Sequence, residues 1–229
     1  MKIGVIVAMG KELAQFRTLL EEIHTVHAGG REFFCGKLAG HESVLQQCGI
    51  GKVNSAVGAV EMIHAFAPEV ILSSGCAGGA STEMHVGDIV IGTETVYHDA
   101  YCGPEAEFGQ VMGMPARYAA DGRLLEKARS LNYGVPVHAG LIAGGDWFVN
   151  SKGKMGKILD RFPEAKAVDM ESCSIAQACH LYGVPFLSFR IVSDVPLKDT
   201  EASQYYDFWD RLADSSFHVM KVFLENIDI

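Results

Sequence analysis

Short runs rich in β-branched residues, most of them closing on glycine or another small residue, alternate along the chain with longer amphipathic segments. A chain built this way folds as a mostly parallel or mixed sheet interleaved with helices, because each amphipathic segment must cover a sheet face. The expected strands are Lys2 to Ala8, Glu32 to Leu38, Glu42 to Cys48, Val70 to Ser74, Asp88 to Val96, Val137 to Ala143 and Phe186 to Ile191. The expected helices are Glu12 to Ile23, Val53 to Phe66, Gly122 to Leu131, Lys154 to Arg161, Glu171 to Leu181 and Tyr206 to Asn226. In open α/β sheets the loops after strand C-terminal ends form the ligand crevice. Met9-Gly10, Gly49 to Gly51, Gly75 to Gly79, Gly144 to Asp146 and Ser193-Asp194 all fall there.

The chain of 229 residues, 48% hydrophobic and 21% charged, is expected to form one medium α/β domain over residues 1–229. Met1 to Ala8 reads as a first strand and not a signal peptide, since the apolar stretch is short and Lys11 and Glu12 follow it directly. No run reaches the roughly 18 apolar residues of a membrane-spanning helix, so a soluble protein with no membrane partner is expected. The six cysteines lack any C-x-x-C pair and read as reduced thiols of a cytoplasmic protein. A net charge of -9 with no basic stripe repels a nucleic-acid backbone, which leaves a small molecule as the expected partner.

Gly49-Ile50-Gly51-Lys52 is not a triphosphate-binding loop, which would require glycine at Gln46 and serine or threonine at Val53. Neither that segment nor Gly75 to Gly79 forms the dinucleotide fingerprint, so no nucleotide cofactor is expected. The glycines either form tight turns alone or let backbone approach a flat ligand. His98-Asp99 stands without a second histidine at metal-ligand spacing, so no catalytic metal is expected. Cys76 lacks a neighbouring base in sequence and reads as site wall or packing, not as a nucleophile.

Three acids stand at strand-to-loop or strand-to-helix junctions: Glu12, Glu171 and Asp194. Singly, each reads as a solvated or capping carboxylate. Together they suit cleavage of a glycosidic bond through a cationic sugar, where one carboxylate activates water, a second acid protonates the leaving group and a third can hold the sugar hydroxyls.

These positions carry a family resemblance over nearly the whole chain. Lys2 to Met9 with Glu12, Gly49-Ile50-Gly51-Lys52-Val53, Gly78-Gly79, Val86 to Val90, Tyr97-His98-Asp99-Ala100, Gly145 to Asn150, Met170-Glu171 and Ser193-Asp194 occur in the order and spacing of the methylthioadenosine/S-adenosylhomocysteine nucleosidases, members of the nucleoside phosphorylase superfamily, which the sequence resembles. The resemblance implies a three-layer αβα sandwich with a central mixed, partly barrel-like sheet. It implies Glu12 as the general base on water and Asp194 as the proton donor to adenine N7, with a raised pKa in the ligand complex. Glu171 would accept hydrogen bonds from the ribose 2′- and 3′-hydroxyls, with Met170 on the ribose face. Phe148 would stack on the purine, backbone near Val149 would read the base, and Met9 and Ile50 would contact the sugar and thioether. A homodimer is implied, with Tyr101 to Tyr118 closing the neighbouring subunit's pocket.

The chain departs from the family pattern at Cys76, where serine is common; at Gly10-Lys11, where an acidic pair is common; and at Tyr206, where a phenylalanine often lines the 5′ pocket. Val195 to Gln204 aligns poorly. Alternative readings are a phosphate-dependent phosphorylase, a hydrolase for another 5′-substituted nucleoside such as an aminofutalosine, and a non-catalytic nucleoside-binding protein. The Ser73 to Cys76 stretch lacks the arginine that the superfamily's phosphorylases usually place there, and retention of all three acids speaks against lost chemistry.

Overall fold

A computed structural model describes residues 1–198, 203–211 and 218–227, with backbone alone at 209–211. The chain order is β1 (Lys2–Val7), α1 (Gly10–Arg17), β2 (Glu21–Ala28), β3 (Arg31–Leu38), β4 (His41–Gln47), α2 (Lys52–Phe66) and β5 (Val70–Gly79). It continues through β6 (Ile89–Tyr97), β7 (Tyr118–Ala119), α3 (Gly122–Ser130), β8 (Val137–Gly144), α4 (Lys152–Leu159), β9 (Ala165–Asp169), α5 (Ser172–Tyr182) and β10 (Phe186–Asp194). Helices α6 (Ser203–Arg211) and α7 (His218–Asn226) follow.

The sheet runs β10-β6-β8-β9-β5-β1-β4-β3-β2, and β10 pairs with β5 as well, so five strands close into a ring that β1, β4, β3 and β2 extend on one side. β5 is the hinge of this plan: it pairs in parallel with both β1 and β10 and, through Gly78 and Gly79, antiparallel with β9. The near-continuous apolar run of β1 fits a strand covered on both faces. Ile3, Val5 and Val7 pack with Phe16 of α1, Leu124 of α3 and Phe223 of α7, while Ile6 faces Met62 of α2 and Ile175 of α5. The result is the mixed, partly barrel-like sheet between helical layers that the resemblance implies. Small residues bring α2 and α5 together, where the Ser55 and Ser174 hydroxyls meet at 2.6 Å. Among the described residues, no helix is long and apolar enough to cross a membrane.

Several expectations need correction. The first helix ends at Arg17, not Ile23, and residues 21–28 form the edge strand β2 on β3. That strand is exposed over most of its length, so no burial imposes the alternation that announces a strand. The glycines 75–79, expected as a loop, continue β5, and β10 likewise runs on to Asp194. β9 was not anticipated, because its lysine interrupts a segment of only five residues. The helix expected over Tyr206 to Asn226 is represented by α6 and α7; residues 212–217 between them lie outside the described residues.

Candidate active site

The ends of β1, β4, β5, β9 and β10 and the turn after β8 surround a cavity lined by apolar side chains and a few convergent charged groups, the kind of concave site that takes a small organic ligand. Its charged lining residues are Glu12, Asp169, Glu171, Arg190 and Asp194.

Glu12 is third in α1 and reaches back over the helix start. Its Oε2 accepts the N–H groups of Ala8 and Met9, each at 2.9 Å, and its Oε1 accepts that of Cys76 at 3.2 Å. The glycines of β5 make this approach possible, since a Cβ at Gly75 would stand 2.8 Å from Oε1. Burial pushes the Glu12 carboxyl above the ordinary carboxylate range, while the Met9 N–H, the Arg190 charge and the Cys76 and Ala8 N–H groups pull it back. A carboxylate balanced in this way is a stronger base than a solvated one and is already oriented.

Glu171 precedes α5 as its N-cap residue but makes no capping bond with its side chain. Its Oε1 accepts the N–H of Gly51 at 2.9 Å. Burial, reinforced by the nearby Asp169 charge, pushes its carboxyl up to about 7. Beneath both acids lies Arg190, which is 2% exposed. Its Nε donates to Asp169 Oδ2 at 2.7 Å, Nη1 to the Phe189 carbonyl at 2.9 Å and Nη2 to Ser73 Oγ at 2.9 Å. Burial opposes the guanidinium charge, but Asp169, Glu171 and Glu12 outweigh it. Ser172 Oγ completes the cluster by donating to Asp169 and meeting Ser188 Oγ.

Asp194 closes β10 and is buried, and Ser193 Oγ donates to its Oδ1 at 2.7 Å. Burial and the surrounding carboxylates hold the Cys76 thiol well above its usual range, which makes it an inert wall of the site. Across the opening, Phe148 is 41% exposed and meets the Tyr205 ring edge-on at 5.2 Å.

The phosphorylase superfamily model matches residues 2–225. A curated relative from Bacillus thuringiensis, a 5′-methylthioadenosine/S-adenosylhomocysteine nucleosidase, is 38% identical over 99% of this chain and 100% of its own. The chain belongs to that nucleosidase family. A solved Streptococcus pneumoniae nucleosidase with the transition-state inhibitor MT-ImmA matches with a TM-score of 0.93 at 34% identity, covering all of both chains. The Neisseria meningitidis nucleosidase with methylthio-immucillin-A matches at 0.92 and 38% identity, covering 99% of each.

Within this nucleosidase-family fold, Met9, Glu12, Ile50, Cys76, Phe148, Val149, Met170, Glu171 and Asp194 all line the one cavity. Tyr206 does not: it is 62% exposed, and its neighbour Tyr205 lines the cavity instead, with its hydroxyl 3.9 Å from Met9 Sδ. The expectation was one residue out of register, because two adjacent tyrosines start α6 and only the helix phase decides which faces inward. Sequence reasoning missed Arg190 and Asp169, and also Trp147, which stands beside Phe148 in the lining. An arginine inside an otherwise apolar strand was the available signal, since a buried guanidinium requires a buried carboxylate and marks a polar interior.

Proposed function

We propose that the chain hydrolyses the N-glycosidic bond of 5′-methylthioadenosine and S-adenosylhomocysteine, releasing adenine and the 5-thio-substituted ribose. The observation that carries this reading is the convergence of Glu12, Glu171 and Asp194 on one cavity, with Glu12 oriented by backbone N–H groups. Glu12 takes a proton from the water that attacks the anomeric carbon. Asp194 gives a proton to adenine N7, so that the base departs neutral. Glu171 accepts the ribose hydroxyls, and its negative charge stabilises the cationic sugar of the transition state. Phe148 covers the purine face, backbone at Val149 reads its edge, and Met170, Met9 and Ile50 supply apolar contact to the ribose and thioether.

Water is favoured over phosphate as nucleophile. Among the described residues the cavity lining holds Glu12, Asp169, Glu171 and Asp194 against one cation, Arg190, which donates from Nε, Nη1 and Nη2 to protein acceptors. A phosphate dianion would meet an excess of carboxylates around an arginine whose charge is already paired with Asp169. Adenine release from methylthioadenosine in phosphate-free buffer, with free methylthioribose identified by mass, is the expected result. Release only after phosphate addition, with a sugar 1-phosphate as product, would establish a phosphorylase instead.

The same reading makes the chain one nucleoside phosphorylase-like domain, cytoplasmic and homodimeric, with residues 101–118 closing the partner's pocket. Free cysteines support the reducing compartment. Exposed Ile50, Val53 and Val57 near the start of α2, with Leu181 and Tyr182 at the end of α5, support an apolar interface. No residue of 101–118 lines its own chain's cavity, while Tyr101 and Met112 stand exposed on that segment. Sedimentation equilibrium would read twice the chain mass if this is right and one chain mass if it is not.

A further inference from the structure

Three turns meet outside the cavity at one ion cluster. Lys52 opens α2 directly after Gly51, whose N–H is donated to Glu171. The Lys52 ammonium lies 2.9 Å from both carboxylate oxygens of Asp99, which follows β6, and 3.9 Å from Asp146, which follows β8. Backbone joins the same partners: the Lys52 N–H donates to Asp146 Oδ1 at 2.8 Å, and the Asp146 N–H donates to Asp99 Oδ2 at 2.9 Å. The Asp99 side chain is 9% exposed and that of Lys52 30%, so this pair is sheltered in a way that ordinary surface bridges are not. Two glycines make room for it. A Cβ on Gly51, where φ is +93°, would stand 2.9 Å from Asp146 Oδ1, and one on Gly145 would stand 2.8 Å from Asp99 Cγ.

None of Lys52, Asp99 and Asp146 lines the cavity, yet each is fixed to a turn that does: Ile50 on one side, Trp147, Phe148 and Val149 on the other. We infer that Lys52, Asp99 and Asp146 are positioning residues that hold the Gly51 N–H on the Glu171 carboxylate and lock the 49–51 turn to the 145–149 turn. Their effect on catalysis rests on the proposed role of Glu171 towards the ribose.

The charged and titratable groups facing Glu171 are Asp169 at the end of β9, Arg190 on β10, Glu12 on α1, Cys48 after β4 and Cys76 on β5. Burial and Asp169 push its carboxyl up, while Arg190 and the Gly51 N–H pull it down. Loosening the cluster withdraws the Gly51 N–H, so the carboxyl rises and a higher pH is needed to ionise it.

The test uses the full chain carrying Asp99→Asn, Lys52→Gln, both together, or Lys52→Arg. In phosphate-free buffer, the acid limb of kcat/KM for methylthioadenosine should move up by on the order of half to one pH unit in the first two variants. Adenine release at pH 7 then drops about two- to fivefold and recovers at higher pH. The double variant should be no worse than either single one, because the groups act as one unit. Lys52→Arg, which keeps the charge, should hold the wild-type limb. Lys52 is partly exposed, so its variants serve if Asp99→Asn does not fold.

A second readout is independent of turnover: carboxyl carbon NMR of isotope-labelled glutamate, with the Glu171 resonance assigned by its loss in Glu171→Gln. An upward shift of the Glu171 midpoint in Asp99→Asn and Lys52→Gln supports the inference even if the wild-type chain releases no adenine, an outcome that would overturn the proposed reaction alone. An unmoved midpoint, or a rate loss equal at every pH, overturns the inference and leaves the reaction standing.

Discussion

The floor of the cavity and its rim are built on opposite terms. On the floor, Glu12, Asp169, Glu171, Arg190 and Asp194 are each less than a tenth exposed, and hydrogen bonds with backbone groups or serine hydroxyls hold several of them in place. At the rim, Ile50, Trp147 and Phe148 expose 51%, 41% and 41% of their surfaces. Buried charge is tolerated on the floor only because every group is paired or donated to, and this fixes geometry before any ligand arrives. The rim carries apolar area without such constraint and is free to vary with the group it must accept. Under the proposed function, chemistry belongs to the floor and selection to the rim.

Substitutions at the floor should separate turnover from binding most sharply. Glu12→Gln and Asp194→Asn should each lower kcat by a factor on the order of 10² or more, with binding of a substrate analogue by calorimetry nearly unchanged. Near-normal turnover in either variant would remove that residue from its assigned role. The next effect is on pH. Glu12 lies above the ordinary carboxylate range and Glu171 lies at about 7, and the proposed roles require both ionised. The folded-state carboxyls are protonated below those values, so kcat/KM should fall as pH drops through about 7. A profile flat down to pH 5 would show that the floor carries less strained carboxylates.

Rim substitutions should act on binding. Phe148→Ala removes the ring proposed to cover the purine and should raise KM by about tenfold, with a smaller change in kcat, since stacking energy is present in ground and transition states alike. A kcat loss as large as that of Glu12→Gln would erase the division between floor and rim. Tyr205→Phe, the smallest change, removes a hydroxyl placed 3.9 Å from Met9 Sδ. It should leave adenine release from methylthioadenosine within about threefold and shift its rate relative to S-adenosylhomocysteine. An identical ratio would mean that the hydroxyl does not face the 5′ substituent.

The same division governs what can be read from the sequence. Glu12, Glu171 and Asp194 were legible because each stands at a junction where an apolar strand gives way to a turn, and their joint order matches a family. The Arg190–Asp169 pair was not, since it joins β10 to β9 across the ring through a contact that no local pattern encodes. The strands of the fold were visible wherever burial imposes a pattern. β2 was read partly as helix because an exposed edge strand carries none, and the β5 glycines were read as a loop because their strand role rests on pairing with β10 and β9 across the ring. At the rim, Tyr205 and Tyr206 differ only in helix phase, which one residue of sequence offset hides.

The double membership of β5, in the ring and in its extension, sets a clock on the molecule. Amide protons of β5 that pair with β1 and β10 should exchange with solvent only on opening of the sheet, a behaviour that hydrogen-exchange measurement reads. Those of β2 sit at an exposed edge and are released by local fraying. The Glu12 carboxylate is thus fastened, through the Cys76 N–H, to an interior strand of the sheet. Occupancy of the site will register as added protection in the 49–51 and 145–149 turns and leave the strand beneath them silent.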